Sequence, residues 1–165
     1  NNFRVVRFFF FFLIMNTLHN TLLQLESHIP NLEKTNSNVS KSTIGWQIDH
    51  CLLVINGVIK QLEISNPTEF QSKFNLPKFL ILTFKKIPRG KARAPKIVTP
   101  IEVATSEELK TKIELAKNNV LKLPAFSDNL FFKHPYFGDL SKKQTEKFLA
   151  IHTKHHLKII EDILK

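Results

Sequence analysis

The sequence predicts an all-α fold, a four-helix bundle with a long crossover between the second and third helices. Three observations support this. Apolar residues recur at helical spacing in four stretches, three of them preceded by a Ser or Thr placed to cap a helix. Only 4 glycines occur in 165 residues, few for an all-β chain of this size with its many turns. Between the second and third periodic stretches lies an irregular segment, residues 65–104, with five prolines.

At the start, Arg4 and Arg7 precede a short apolar run from Phe8 to Ile14, like the first two parts of a signal peptide. No small-residue cleavage site follows, and the run falls well short of the ~20 apolar residues that span a bilayer. Met15, the one methionine, stands where Phe-rich sequence gives way to ordinary amphipathic sequence. Residues 1–14 are therefore expected to be an extension outside the fold, and 15–165 a single domain. A membrane-associating anchor is the rival reading of the extension.

From Asn16, the pattern Leu18, Leu22, Leu25, Ile29 predicts a first amphipathic helix, interrupted near Pro30. Residues 35–43 supply turn and cap residues. A second helix is expected from Ile44 to about Ile64, capped by Ser42 or Thr43. One stripe carries Ile44, Ile48, Leu52, Ile55, Ile59 and Leu62; another carries Trp46, His50, Leu53 and Gly57. Apolar residues on two faces mark this helix as the most buried. His50 projects inward one turn after Trp46. Cys51 reads as a small core hydrophobe, and Asp49 as a residue of the solvated face, with a bond to His50 as its other role.

The crossover contains the apolar run Phe79 to Phe84, a short helix or strand. Eight Lys and Arg residues lie between Lys73 and Lys96 with no acidic residue among them, which accounts for much of the formal net charge of +10. Such a stretch can lead an anionic substrate or cofactor to a site or contact phosphates; the alternative is a solvated basic loop. It lacks the interleaved aromatics of a single-strand binder, so a nucleic-acid partner is not expected.

Thr105 and Glu108 form a capping box opening a third helix through about Leu123, with Leu109, Ile113, Ala116 and Val120 inward and Pro124 closing it. His134 to Gly138 then form a compact aromatic turn that packs His134 among its neighbours, with an approach to the metal site from the loop as its other role. A second capping box, Ser141 and Gln144, opens the last helix. On it Phe148, Leu149, His152, His156, Ile159, Ile160 and Ile163 fall within an arc of about 120°.

His152 and His156 lie mid-arc at i, i+4 spacing, which stacks two imidazoles one turn apart, close enough to share a metal ion. Two core histidines, each satisfied by one hydrogen bond, are the alternative. His50 is the candidate third ligand, and His155 lies on the flank of the stripe. The single cysteine rules out an internal disulfide framework and a Cys-rich zinc site, and a reducing, cytoplasmic setting is expected. No Gly-rich phosphate loop, Gly-x-Ser-x-Gly elbow or His-Glu-x-x-His motif occurs.

GWQIDHCL on the second helix, HPYFGDLS before the last and FLAIHTKHHLKII within it resemble, in that order, the DinB-like superfamily of metal-binding bundles, and in particular an uncharacterised branch with the HPYFG segment. The likeness covers nearly all of residues 16–165. It implies a divalent metal, zinc or nickel, held by His50, His152 and His156, with coordination positions left for water or substrate. It also implies, from some relatives, a thiol transferase in which the metal activates a low-molecular-weight thiol toward an electrophilic small molecule, with a metal-dependent hydrolase using the same open site as the lesser alternative. Arg89 and Arg93 are then the candidates to hold the thiol cofactor's carboxylates. A homodimer and no transmembrane segment are expected. The other class of function is a non-catalytic metal-binding or interaction bundle whose basic crossover docks an anionic partner.

Overall fold

A first helix, α1, covers residues 17–27 and buries Leu18, Leu22 and Leu25. A tight turn at Ile29–Asn31, with Pro30 inside it, ends the helical run as the proline requires. The structure is a computed structural model and describes residues 17–90 and 94–165. Expectations for residues 1–14, Met15, Lys91 and Arg93 lie outside the described residues.

Helix α2 spans Ile44–Glu63. Thr43 caps it, its hydroxyl accepting the Trp46 N–H at 3.1 Å. The chain crosses close to the turn after α1 here: Gly45 N–H donates to Leu32 O at 2.8 Å, and a Cβ at Gly45 would sit 3.1 Å from that oxygen. A side chain there would crowd the Leu32 carbonyl, and glycine avoids that contact. The first stripe of α2 is wholly buried, whereas of the second only His50 is buried and Trp46, Leu53 and Gly57 are half-buried; α2 packs on both α4 and α5.

In the crossover, Asn75 caps a nine-residue helix, α3, Leu76–Phe84, by accepting the Lys78 N–H at 2.8 Å. It packs on α5 and buries Lys78 and Leu82. Helix α4, Ser106–Lys122, opens on the Thr105–Glu108 capping box and buries Leu109, Ile113, Ala116 and Val120. Helix α5, Lys142–Ile163, opens on the Ser141–Gln144 box.

The expectation of an all-α four-helix bundle is corrected here. Among the described residues, five helices accompany a two-stranded antiparallel sheet. Strand β1, Phe131–His134, pairs with β2, Gly138–Ser141, in the register Phe131 with Ser141 and His134 with Gly138. Each arm has only four residues, too few for strand alternation to stand out beside the strong helical period that follows. The turn is legible and its arms are not. Gly138, the first residue of β2, adopts φ 68°, a left-handed conformation that glycine takes without the steric cost of a Cβ.

His134 locks that turn. Its Nδ1 accepts from the N–H of both Tyr136 (3.1 Å) and Phe137 (3.2 Å), and its ring stacks on Phe137 at 4.1 Å. Burial pushes its pKa down to about 4, and protonation would place a proton on the nitrogen that already accepts. The hairpin is joined to the helix it precedes, since Ser141 both ends β2 and caps α5. Lys142 N–H also donates to Leu130 O, and its ammonium to Phe126 O at 2.7 Å.

A histidine held neutral in the fold stabilises it above the unfolded value near 6.5, and that stabilisation is lost as pH falls toward 4. Its size is on the order of 3 kcal/mol. His134→Asn, whose side-chain oxygen accepts the same kind of turn N–H, is expected to keep the hairpin and to flatten part of this pH dependence. Urea unfolding at a series of pH values measures it, and an unchanged slope between 6.5 and 4 would contradict the assignment.

Candidate metal centre

Helices α2 and α5 bring three imidazoles together. On α5, His152 and His156 stand one turn apart with ring centroids at 4.6 Å. From α2, the His50 ring lies 5.1 Å from His152 and 4.7 Å from His156, edge-on to both. One nitrogen from each lies within 4.8 Å of the other two. Two zinc–nitrogen bonds of about 2.1 Å in a tetrahedral site set their nitrogens roughly 3.4 Å apart, so an ion held here would draw the rings inward.

The surroundings set which nitrogen of each ring is free. His50 Nδ1 lies 2.6 Å from Val98 O, in the short turn Lys96–Val98 at the end of the crossover. A carbonyl only accepts, so Nδ1 carries the proton and Nε2 the lone pair. His156 Nδ1 lies 2.6 Å from Gln47 Oε1, while Gln47 Nε2 donates to Ser40 Oγ at 3.2 Å. The same logic leaves His156 Nε2 as the free ligand atom. Hydrogen bonding a metal-ligating histidine through its second nitrogen fixes both tautomer and ring orientation.

His152 is different. Its Nδ1 is sealed from solvent and has no hydrogen-bond partner among the described residues. A buried polar atom left so costs about 1–3 kcal/mol. A cation drawn onto the imidazoles provides a reason for a polar ring at that point, so the residues present fit a divalent metal. Trp46 stacks on His50 at 5.1 Å with the rings 16° apart, and Phe148 lies 5.5 Å from His152. These rings limit solvent access to the cluster's flanks.

All three rings are held neutral, the form that binds metal. Burial is the first cause for each. It lowers the His50 pKa against the opposing pull of the Val98 bond and Asp49. His152 and His156 are driven well below the ordinary range by burial and then by the neighbouring imidazoles. His155, half-buried on the flank, is lowered by burial and then by Arg89 and His50.

The other residues singled out in the sequence are placed as follows. Arg89 donates to Asp162 of α5 at 2.7 Å, and its charge reaches His155. Arg93 lies outside the described residues. Cys51 is fully buried, its thiol pushed above the ordinary range by desolvation. Asp49, read as a solvated residue, is instead buried and holds Lys112 of α4 at 2.7 Å. Gln47 was not among the sequence candidates, although it lies three residues before His50 on one helix face; the Val98 carbonyl leaves no sequence signal because it is a backbone atom.

A family model described as a protein of unknown function (DUF1569) matches residues 19–162, a span containing every residue of this cluster. The chain belongs to the DUF1569 family. No curated protein and no solved structure matches it. The DUF1569 match takes in all four contributors to the centre's framework: α2, the crossover, the hairpin and nearly all of α5.

At pH 6.5 an ordinary histidine is half protonated. Long-range 15N–1H correlation spectra of the metal-free DUF1569 protein at that pH are expected to show His152 and His156 neutral. His50 and His156 should carry their proton on Nδ1. An imidazolium signature for either α5 histidine would contradict the geometry.

Proposed function

We propose that this DUF1569 protein is a divalent-metal-binding protein of the DinB-like kind, with zinc or nickel held by His50, His152 and His156. Its activity on this reading is transfer of a low-molecular-weight thiol to an electrophilic small molecule. The observation that carries it is the convergence of three neutral imidazoles, two of them already held through Nδ1 by Val98 O and Gln47 Oε1. Three protein ligands leave a coordination position open, the pattern of catalytic rather than structural sites.

A divalent ion held by the three imidazoles would supply Lewis acidity that lowers a thiol's pKa and so raises the fraction present as thiolate at neutral pH. The thiol's proton leaves to water, its sulfur forms a bond to the electrophilic carbon, and the leaving group departs with the electron pair. The chain's own residues orient and enclose. Val98 O and Gln47 hold the imidazoles in their ligating tautomer. Trp46 and Phe148 wall the cluster with aromatic surface. Arg89, beside His155, offers a cation for a carboxylate of the thiol in exchange for Asp162.

A non-catalytic site is the second reading: His50 and His156 are buried and His152 keeps only partial exposure, so protein encloses most of the cluster.

Untagged protein is expected to carry near-stoichiometric zinc or nickel by mass spectrometry, and the still-folded double variant His152→Ala/His156→Ala to lose it. Protein that stays metal-free after incubation with divalent ions sinks the proposal. In the cobalt-loaded protein, a thiolate-to-cobalt absorption band on adding a small thiol supports the transferase, and its absence the closed, non-catalytic site. Gln47→Leu removes the acceptor at His156 Nδ1 and is expected to weaken zinc binding ~10–100-fold in chelator competition; unchanged affinity would exclude that supporting role.

A further inference from the structure

The outward face of α3 is apolar, exposed and bordered by positive charge. Within this nine-residue helix, Lys78, Ile81 and Leu82 turn toward the protein. Leu76, Phe79, Leu80, Thr83 and Phe84 share the opposite arc, about 140° wide. Phe79 is 53% exposed and Phe84 71%. Phe74, just before the helix and 81% exposed, sets its ring 6.3 Å from that of Phe79 and extends the patch. Single exposed apolar residues are ordinary, but a contiguous aromatic patch marks an interaction surface.

The border of the patch is cationic. Lys73 stands at one end, Lys85 and Lys86 at the other, all exposed. No acidic residue occurs between Glu69 and Glu102. Lys147 of α5 is close enough to Lys85 for their charges to repel: burial first, then Lys85 and Lys143, lower its pKa. Positive charge therefore gathers around the aromatic face.

We propose that this face of α3 docks the protein on an anionic lipid surface, with Phe74, Phe79, Leu80 and Phe84 entering the headgroup boundary and Lys73, Lys85 and Lys86 meeting lipid phosphates. Phe and Leu on one side with lysines at the margin is the pattern of a helix lying in a membrane interface. No helix among the described residues is long and apolar enough to cross a membrane, so the contact is peripheral. The Asn75 cap and the burial of Lys78 and Leu82 order α3 beforehand. Lys78 is held by Lys73 O at 3.0 Å and Asp139 O at 3.3 Å. A second copy on the same face fits less well, because it would set the lysine border against itself.

The test uses the full chain with a single reporter, Leu80→Cys carrying an environment-sensitive fluorophore; Cys51 is buried and stays unlabelled. Vesicles of phosphatidylcholine with about a third phosphatidylserine are compared with pure phosphatidylcholine. The expected result is a blue shift with the anionic vesicles alone, and none from a label at Leu121→Cys on α4. In co-sedimentation, Phe79→Ser/Phe84→Ser should weaken anionic-vesicle binding at least tenfold with helix content unchanged. Sedimentation without a shift at position 80 would place the contact elsewhere on the chain and overturn the proposal. Equal binding by the Phe variant would reduce it to charge alone. A dimer seen by light scattering and broken by that variant, without vesicle binding, would give the face to a second copy.

Discussion

The seam between α2 and α5 buries ring nitrogens among apolar side chains, and much of the structure is arranged around meeting that cost. Each buried nitrogen without a partner costs about 1–3 kcal/mol, comparable to what burying one Leu or Ile side chain returns. Ile48, Leu52 and Ile55 of α2 and Leu149 and Ile160 of α5 are almost wholly buried, so the core can bear such a site. It still cannot leave every nitrogen bare. The two short contacts to Val98 O and Gln47 Oε1 answer for His50 and His156.

Those contacts explain the paths of two segments that otherwise look irregular. The crossover must bring Val98 back to α2, and a tight turn at Lys96–Val98 does so. Ser40, in the loop before α2, holds the far side of the Gln47 amide. A polar chain thus runs from the loop through Gln47 to His156. On the opposite side of α2, Asp49 and Lys112 tie α4 in place, and Asn56 bonds both Lys112 O and Asn119. One helix therefore carries an apolar core and two separate polar anchors.

The hairpin holds α5 in position from its first residue. His134 closes its turn, β2 ends in the cap of α5, and Phe148 on the first turns of that helix meets His134 edge-on at 4.8 Å. Phe148 in turn lies against His152. The sheet is small, but it sets where α5 starts and hence where its histidines sit. The three imidazoles stay together only if those positions hold.

Helix existence and limits were legible because capping is local. Thr43, Thr105 and Ser141 each reach an N–H three residues on, and such contacts depend on little beyond neighbouring residues. The inward direction of His50, His152 and His156 was legible for the same reason, since helical period alone sets the face of each. The sequence by itself thus determined the principal helices and which of their sides turn inward. Tertiary structure decided that β1 and β2 pair, that Asp49 meets Lys112, that Arg89 meets Asp162, and that a backbone carbonyl at Val98 orients His50. Apart from the hairpin, these partners lie 48 to 73 residues apart in the chain, and their meeting depends on the course of the connections as well as on helical period. In the hairpin, each strand's hydrogen bonds close only on the other strand.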